Sequence, residues 1–257
     1  MLERMQRWLR AHRSDEPHPV PDALWARVVG TIPWLVALPP AGHHRLRQLV
    51  EAFLACKEFH GAGGMALDDE IMLSIAIQAC LPILRTGIDS YRHWVGIVVY
   101  PGEFLVEHPE VDDIGVVHDG SRTLLGEAWH GGPVVVSWHA HDAPGVNVLV
   151  HEFAHTLDMA NGDADGFPPL PADMDRGEWA RAFTTAYEAL CEQVDSGLPT
   201  AIDPYASEHP AEFFAVASEA FFETPEELHR AFPEVHGQLA RLYGVDPLTR
   251  TLTADFA

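Results

Sequence analysis

Cysteine is scarce. The chain of 257 residues has three, Cys56, Cys80 and Cys191, odd in number and far apart. That excludes a disulfide framework and a CxxC metal site, and fits reduced thiols in a core. Basic residues are also few: 16 Lys plus Arg stand against 38 Asp plus Glu, a formal charge of −22. Such a surface repels phosphate backbones and anionic lipid headgroups, which argues against nucleic acid or a membrane as a direct partner. Long apolar runs are missing too. The longest, "IMLSIAIQACLPIL" from Ile71 to Leu84, carries Ser74, Gln78 and Pro82. It falls short of the ~20 residues that span a bilayer and reads as a buried helix. The opening "MLERMQRWLRAHRSDEPHP" has neither the unbroken apolar stretch nor the small-residue cleavage site of a secretory signal, so a cytoplasmic location is expected.

What remains is the composition of a globular enzyme-sized chain, 47% hydrophobic and 21% charged, able to bury one large core. The expected organisation is a polar N-terminal tail over residues 1–20, a single domain over 21–247 and a C-terminal tail over 248–257. Apolar residues recur at helical spacing through "HHRLRQLVEAFLACKEF" and "DDEIMLSIAIQACLPIL". From about residue 94 the segments "HWVGIVVYPGEF", "RTLLGEAW" and "GPVVVSW" are short, β-branched and bounded by Gly and Pro, which predicts three or four strands. Helical periodicity returns in "GEWARAFTTAYEALCEQV", "HPAEFFAVASEAFF" and "TPEELHRAF", the last two opening with Pro at a first-turn position. The fold class expected is α+β: an N-terminal helical layer, a small mixed sheet, then a pair of helices bearing the site.

The chemistry concentrates in "VLVHEFAHTLDMANGDADG", Val148 to Gly166. His151 and His155 are four residues apart, so on a helix they project from one face, one turn apart, as two ligands of a tetrahedral ion require. Glu152 is turned about a quarter circle away, suited to taking a proton from a metal-activated water. The flanks Val148, Leu149, Val150, Phe153 and Leu157 are apolar, and unpaired histidines are costly in such surroundings. Asp158 falls on the same face as the histidines. It is expected either to support an imidazole or brace the site, or to bond nearby backbone. Asn161, Asp163, Asp165 and Gly166 match the first half of a calcium loop, but Ala172 stands where a bidentate Glu is needed. These residues read as a helix stop and cleft rim.

Two imidazoles do not complete a zinc site. Glu212 and Glu219 in "HPAEFFAVASEAFF" lie seven residues apart on one helical face, so one can reach the ion while the other supports it; spacing alone does not choose between them. His139 and His141 in "SWHAHDAPG" compete for the same position. With 16 histidines in the chain, no single one is an argument by itself.

Together "VLVHEFAHTLDMANGDADGFPPL", "DPYASEHPAEFFAVASEAFF", "AGGMALDDEIMLSIAIQACLPIL" and "VVYPGEF" resemble the Mlc titration factor A family of zinc-dependent peptidases, over roughly residues 25 to 247. The catalytic core of that family is similar to anthrax lethal factor. The resemblance implies one zinc ion per chain held by His151, His155 and Glu212, with Glu152 as general base. It leaves Glu219 outside the ligand set. It also implies that Tyr205, in "DPYASEHPAE", stabilises the oxyanion or donates a proton. Aminopeptidase-like hydrolysis of small peptides in the cytoplasm is implied as well, together with a possible Mlc-like glucose-repressor partner linked to sugar uptake. The rival expectation is a binding protein that sequesters such a repressor around a weak or regulatory zinc site. Strand "GPVVVSW", Gly132 to Trp138, is the expected sheet edge for pairing with an extended peptide.

Overall fold

The computed structural model describes residues 19–102, 104–111, 117–124, 126–128, 132–138 and 146–254. Helices α1 (Asp22–Val29), α2 (Pro33–Val36), α3 (Pro40–Cys56) and α4 (Asp69–Cys80) form the expected N-terminal layer. Helix α4 starts where Asp68 accepts a hydrogen bond from the Ile71 N–H at 2.8 Å, and Asp69 and Glu70 follow in its first turn. Both features favour the positive end of a helix. The run from Ile71 is thus a helix of the core, with Leu73, Ile75, Ala76 and Ile77 all buried. Among the described residues no helix is long and apolar enough to cross a membrane.

Strands β1 (Glu58–Gly61), β2 (Gly96–Tyr100), β5 (Gly126–Ala128) and β6 (Val134–Ser137) form one sheet in the order β1-β2-β6-β5. The first three neighbours run parallel, and β5 is antiparallel to β6. Strands β3 (Phe104–Val111) and β4 (Val117–Leu124) make a separate antiparallel hairpin. The expected edge strand is corrected here. Residues Val134–Val136 pair on both sides, with Ile97–Val99 of β2 and with Gly126–Ala128 of β5, so β6 is interior and β5 lies at the border. The physical reason is visible in the valines: all four β6 residues are buried, the unalternating pattern of a strand covered on both faces. Strand β1 is a second difference, since the helical reading ran on to Phe59 whereas α3 stops at Cys56.

Downstream come α5 (Val148–Asp158), α6 (Arg176–Asp195), α7 (Pro210–Glu223), α8 (Pro225–Ala231) and α9 (Pro233–Tyr243). A hairpin of β7 (Val245–Asp246) and β8 (Thr251–Leu252) follows. Helix α5 is the structural centre. One side of it packs into an aromatic cluster in which Phe153 meets Phe53 at 6.1 Å, Tyr91 at 6.0 Å and Trp94 at 6.0 Å. The Tyr91 hydroxyl donates to the Phe153 carbonyl at 3.1 Å. Beneath this cluster the buried Lys57 ammonium donates to the carbonyls of Tyr91 and Trp94 and lies 3.7 Å from the Trp94 ring centroid. Burial pushes its pKa down to about 8. Helix α7 is apolar on most sides and packs against α5 with Ala211, Ala215 and Ala217 among its buried residues, small side chains that permit close approach.

Candidate metal centre

Helices α5 and α7 each carry a cap that fixes where their functional residues fall. The Asn147 side-chain oxygen accepts from the Val150 N–H at 3.1 Å, which caps α5 so that it starts at Val148. The His209 ring accepts from the Ala211 N–H at 3.2 Å and Pro210 occupies the first turn, which starts α7 two residues before Glu212.

From these starts three side chains converge. His151 Nε2 and His155 Nε2 are 3.1 Å apart, and Glu212 Oε2 lies 3.2 Å from the first and 3.3 Å from the second. Among the described residues this is the one group of three or more His, Cys, Asp or Glu side chains close enough to share an ion. Asp163 and Asp165 belong to no such group.

Glu219 does not join the triangle. Its Oε1 lies 2.7 Å from His151 Nδ1, the nitrogen on the far side of the ring, and its Oε2 accepts from the Asn147 backbone N–H at 2.6 Å. It orients the imidazole and ties it to the start of α5. Glu152 is 5% exposed on the flank of α5. Tyr205 sits on the turn Pro204–Ser207, 44% exposed, with its ring centroid 6.4 Å from that of His151. Asp158 is fully buried, and its Oδ2 accepts from the Gly166 N–H at 2.7 Å. Burial raises its pKa to about 6. His139 and His141 lie outside the described residues.

The loop after α5 is held against α7 by Gly166. Its φ of +79° suits glycine, and an added Cβ would lie 2.6 Å from the Pro210 carbonyl oxygen. Gly166→Ala is therefore expected to destabilise the fold by about 1–3 kcal/mol, a drop of several degrees in Tm by calorimetry. It is also expected to weaken metal uptake, because Pro210 opens the helix that carries Glu212.

The electrostatics follow from the same contacts. Burial opposes charge on His151, but hydrogen bonds to Glu212 and Glu219 outweigh it and push the imidazolium up to about 10. Burial likewise opposes charge on Glu212, and the two histidines hold its carboxyl well below the usual range. Without an ion, the His151 imidazolium thus lies between two carboxylates, its Nε2 proton toward Glu212 and its Nδ1 proton toward Glu219, and the Nε2 proton occupies the metal's position. A cation entering the triangle must displace it. Because the raised pKa keeps that proton bound below about 10, zinc titration at neutral pH is expected to release one proton. Apparent affinity should rise about tenfold per unit between roughly pH 6 and 8, readable by calorimetry in buffers of different ionisation enthalpy.

Asn147 is a supporting residue that sequence reasoning missed, and for Gly166 it found the turn but not the close approach to Pro210. An Asn just before an apolar helical run is a cap signal, but its second bond, to a carboxylate 72 residues away, leaves no trace in the sequence.

Two histidines one turn apart, a carboxylate from a facing helix and a buried Glu beside them define a metallopeptidase-type centre. The chain belongs to the glucose-regulated metallo-peptidase M90 family, whose sequence profile matches residues 5–244. Mlc titration factor A of Pectobacterium atrosepticum is 37% identical over 227 residues, covering 86% of this chain and 85% of that protein. Mlc titration factor A of Escherichia fergusonii is 38% identical over 245 residues, 93% and 89% of the two chains. An uncharacterized protein of Synechocystis is 36% identical over 232 residues, 87% and 84%.

Proposed function

We propose that this chain is a zinc-dependent, aminopeptidase-like peptidase, with His151, His155 and Glu212 as the protein ligands of one zinc ion. The carrying observation is the triangle of 3.1, 3.2 and 3.3 Å. Ligand atoms ~2.0–2.1 Å from a tetrahedral ion stand roughly 3.3 Å apart, so the donors already have the spacing of a zinc shell. Two nitrogens and one oxygen leave a fourth position for water or substrate, the arrangement of catalytic rather than structural zinc.

A bound zinc ion would supply Lewis acidity, polarising the scissile carbonyl and lowering the pKa of water toward ~7. The remaining work falls to side chains of this chain. Glu152 takes the proton of the attacking water and delivers it to the leaving amine. Tyr205 donates a hydrogen bond to the carbonyl oxygen as negative charge develops there. Glu219 keeps His151 in the orientation that presents Nε2 to the ion. An extended peptide would pair with the outer side of β5, which has no strand partner among the described residues.

Metal analysis combined with turnover on a panel of aminoacyl and peptide substrates tests this reading. One zinc per chain with hydrolysis abolished by chelation is the expected result; no hydrolysis of any substrate by the zinc-loaded chain overturns it. The name Mlc titration factor A, carried by two of the relatives, favours a second reading, in which an Mlc-type repressor is a partner. A pull-down with such a repressor, compared between wild type and His151→Ala, separates the two. Binding that survives metal loss, with negligible turnover, favours sequestration over catalysis.

A further inference from the structure

At the N-terminal end of α5 lies a cavity of about 560 Å³, and none of His151, His155, Glu212 or Tyr205 lines it. That size is within the ~300–1,000 Å³ in which proteins hold small molecules. One wall is apolar, built from Ile32, Leu81 and the rings of Trp34 and Phe222 stacked at 5.7 Å. The rest of the lining is more polar and carries both signs of charge, with Glu223, Glu226 and Arg250.

Three observations point to a ligand. Gln78 is 9% exposed, and its amide oxygen accepts from Asn147 Nδ2 at 2.6 Å. Its amide nitrogen has no hydrogen bond among the described residues and is not itself a buried atom, a donor open toward the cavity that the residue lines. Arg250, exposed where it lines the cavity, has no ion pair among the described residues and so leaves its guanidinium open to an anionic group. It is also the one non-glycine residue with positive φ among those described, +58°, in the turn of the β7–β8 hairpin. That turn is pinned by Asp246, which accepts from the Leu248 N–H at 2.9 Å and from the Thr249 hydroxyl at 2.8 Å. Strained backbone of this kind persists where surrounding structure holds it, and it concentrates at ligand sites.

We propose that this cavity is a second binding site, for a small zwitterion with an apolar side chain, of the class of a free amino acid or dipeptide. The ammonium group meets Glu223 and Glu226, the carboxylate meets Arg250 and the Gln78 amide, and the side chain packs on Trp34 and Phe222. The site is wired to His151 through Asn147. The Asn147 side chain donates to Glu223 Oε1 and Gln78 Oε1, both at 2.6 Å, while its backbone N–H holds Glu219, the carboxylate on the His151 ring. A ligand that competes for Glu223 or Gln78 pulls on Asn147 and so on the imidazole. The wiring rests on the zinc reading of His151; the pocket itself does not. Coupling between two such sites is reciprocal.

The test is titration of isotopically labelled protein with L-leucine and with leucinamide, which lacks the carboxylate, following the Trp34 indole signal assigned through Trp34→Phe. A saturable shift with L-leucine is expected, at least about tenfold weaker in Arg250→Ala, while leucinamide binds both proteins alike and basal turnover is unchanged. No saturable shift up to ~10 mM, or equal L-leucine affinity in wild type and Arg250→Ala, overturns the site. Equal affinity with and without saturating zinc overturns the link to His151. The indole readout does not need turnover, so a chain without peptidase activity still shows the pocket, and the two failures are distinguishable.

Discussion

Replacing Glu152 with Gln is expected to leave one zinc per chain and to lower kcat about 10²–10⁴-fold. The amide has the same shape and keeps an acceptor oxygen, but it cannot hold the proton that leaves the attacking water. Packing should be little disturbed, since Glu152 is 5% exposed beside buried Leu149 and Phe153 and its replacement is isosteric. Zinc analysis and steady-state kinetics on the same sample check the result. Because Glu152 lies outside the triangle, KM is expected to move far less than kcat. Full turnover in this variant would remove Glu152 as the base and reopen the mechanism.

The second large effect is on the metal. In Glu212→Gln the triangle loses its one anionic donor, and zinc affinity is expected to fall more than about 100-fold. Glu219→Gln touches only the far nitrogen of His151, so it should cost the ~10–100-fold typical of a group that orients a ligand. Competition titration with a chromogenic chelator measures both. A larger loss at Glu219 than at Glu212 would invert the assignment. The pair is informative because the two carboxylates are seven residues apart on one helix and are chemically identical; only their place along the histidine rings separates them.

That separation marks how far the sequence carries. The histidine pair and Glu152 are legible because a helix of known period, with apolar flanks, fixes their directions from one another. Glu212 and Glu219 are legible as a pair for the same reason. Their roles depend on how far α7 is advanced along α5, which is set by packing between helices remote in sequence. Strand β1 was hidden because four residues give no alternation, and its parallel partner, Gly96–Val99, lies far along the chain. The place of β6 was hinted at by three consecutive valines, but only the pairing of Gly126–Ala128 shows that it is not the edge. The α+β class survives these local differences because it depends on the number and kind of elements rather than their neighbours.

Gly166 against Pro210 and Asn147 against Glu219 brace α5 and α7 at two separate points along their contact. The consequence is mechanical. The two helices cannot slide along each other without breaking a close backbone approach at one end or a buried hydrogen bond at the other, so the spacing of the three donors is a property of the folded chain rather than of its ion. Loading therefore orders little that was not already ordered, unlike the small domains that fold only around their metal. The braced helices are thus the fixed frame of the centre.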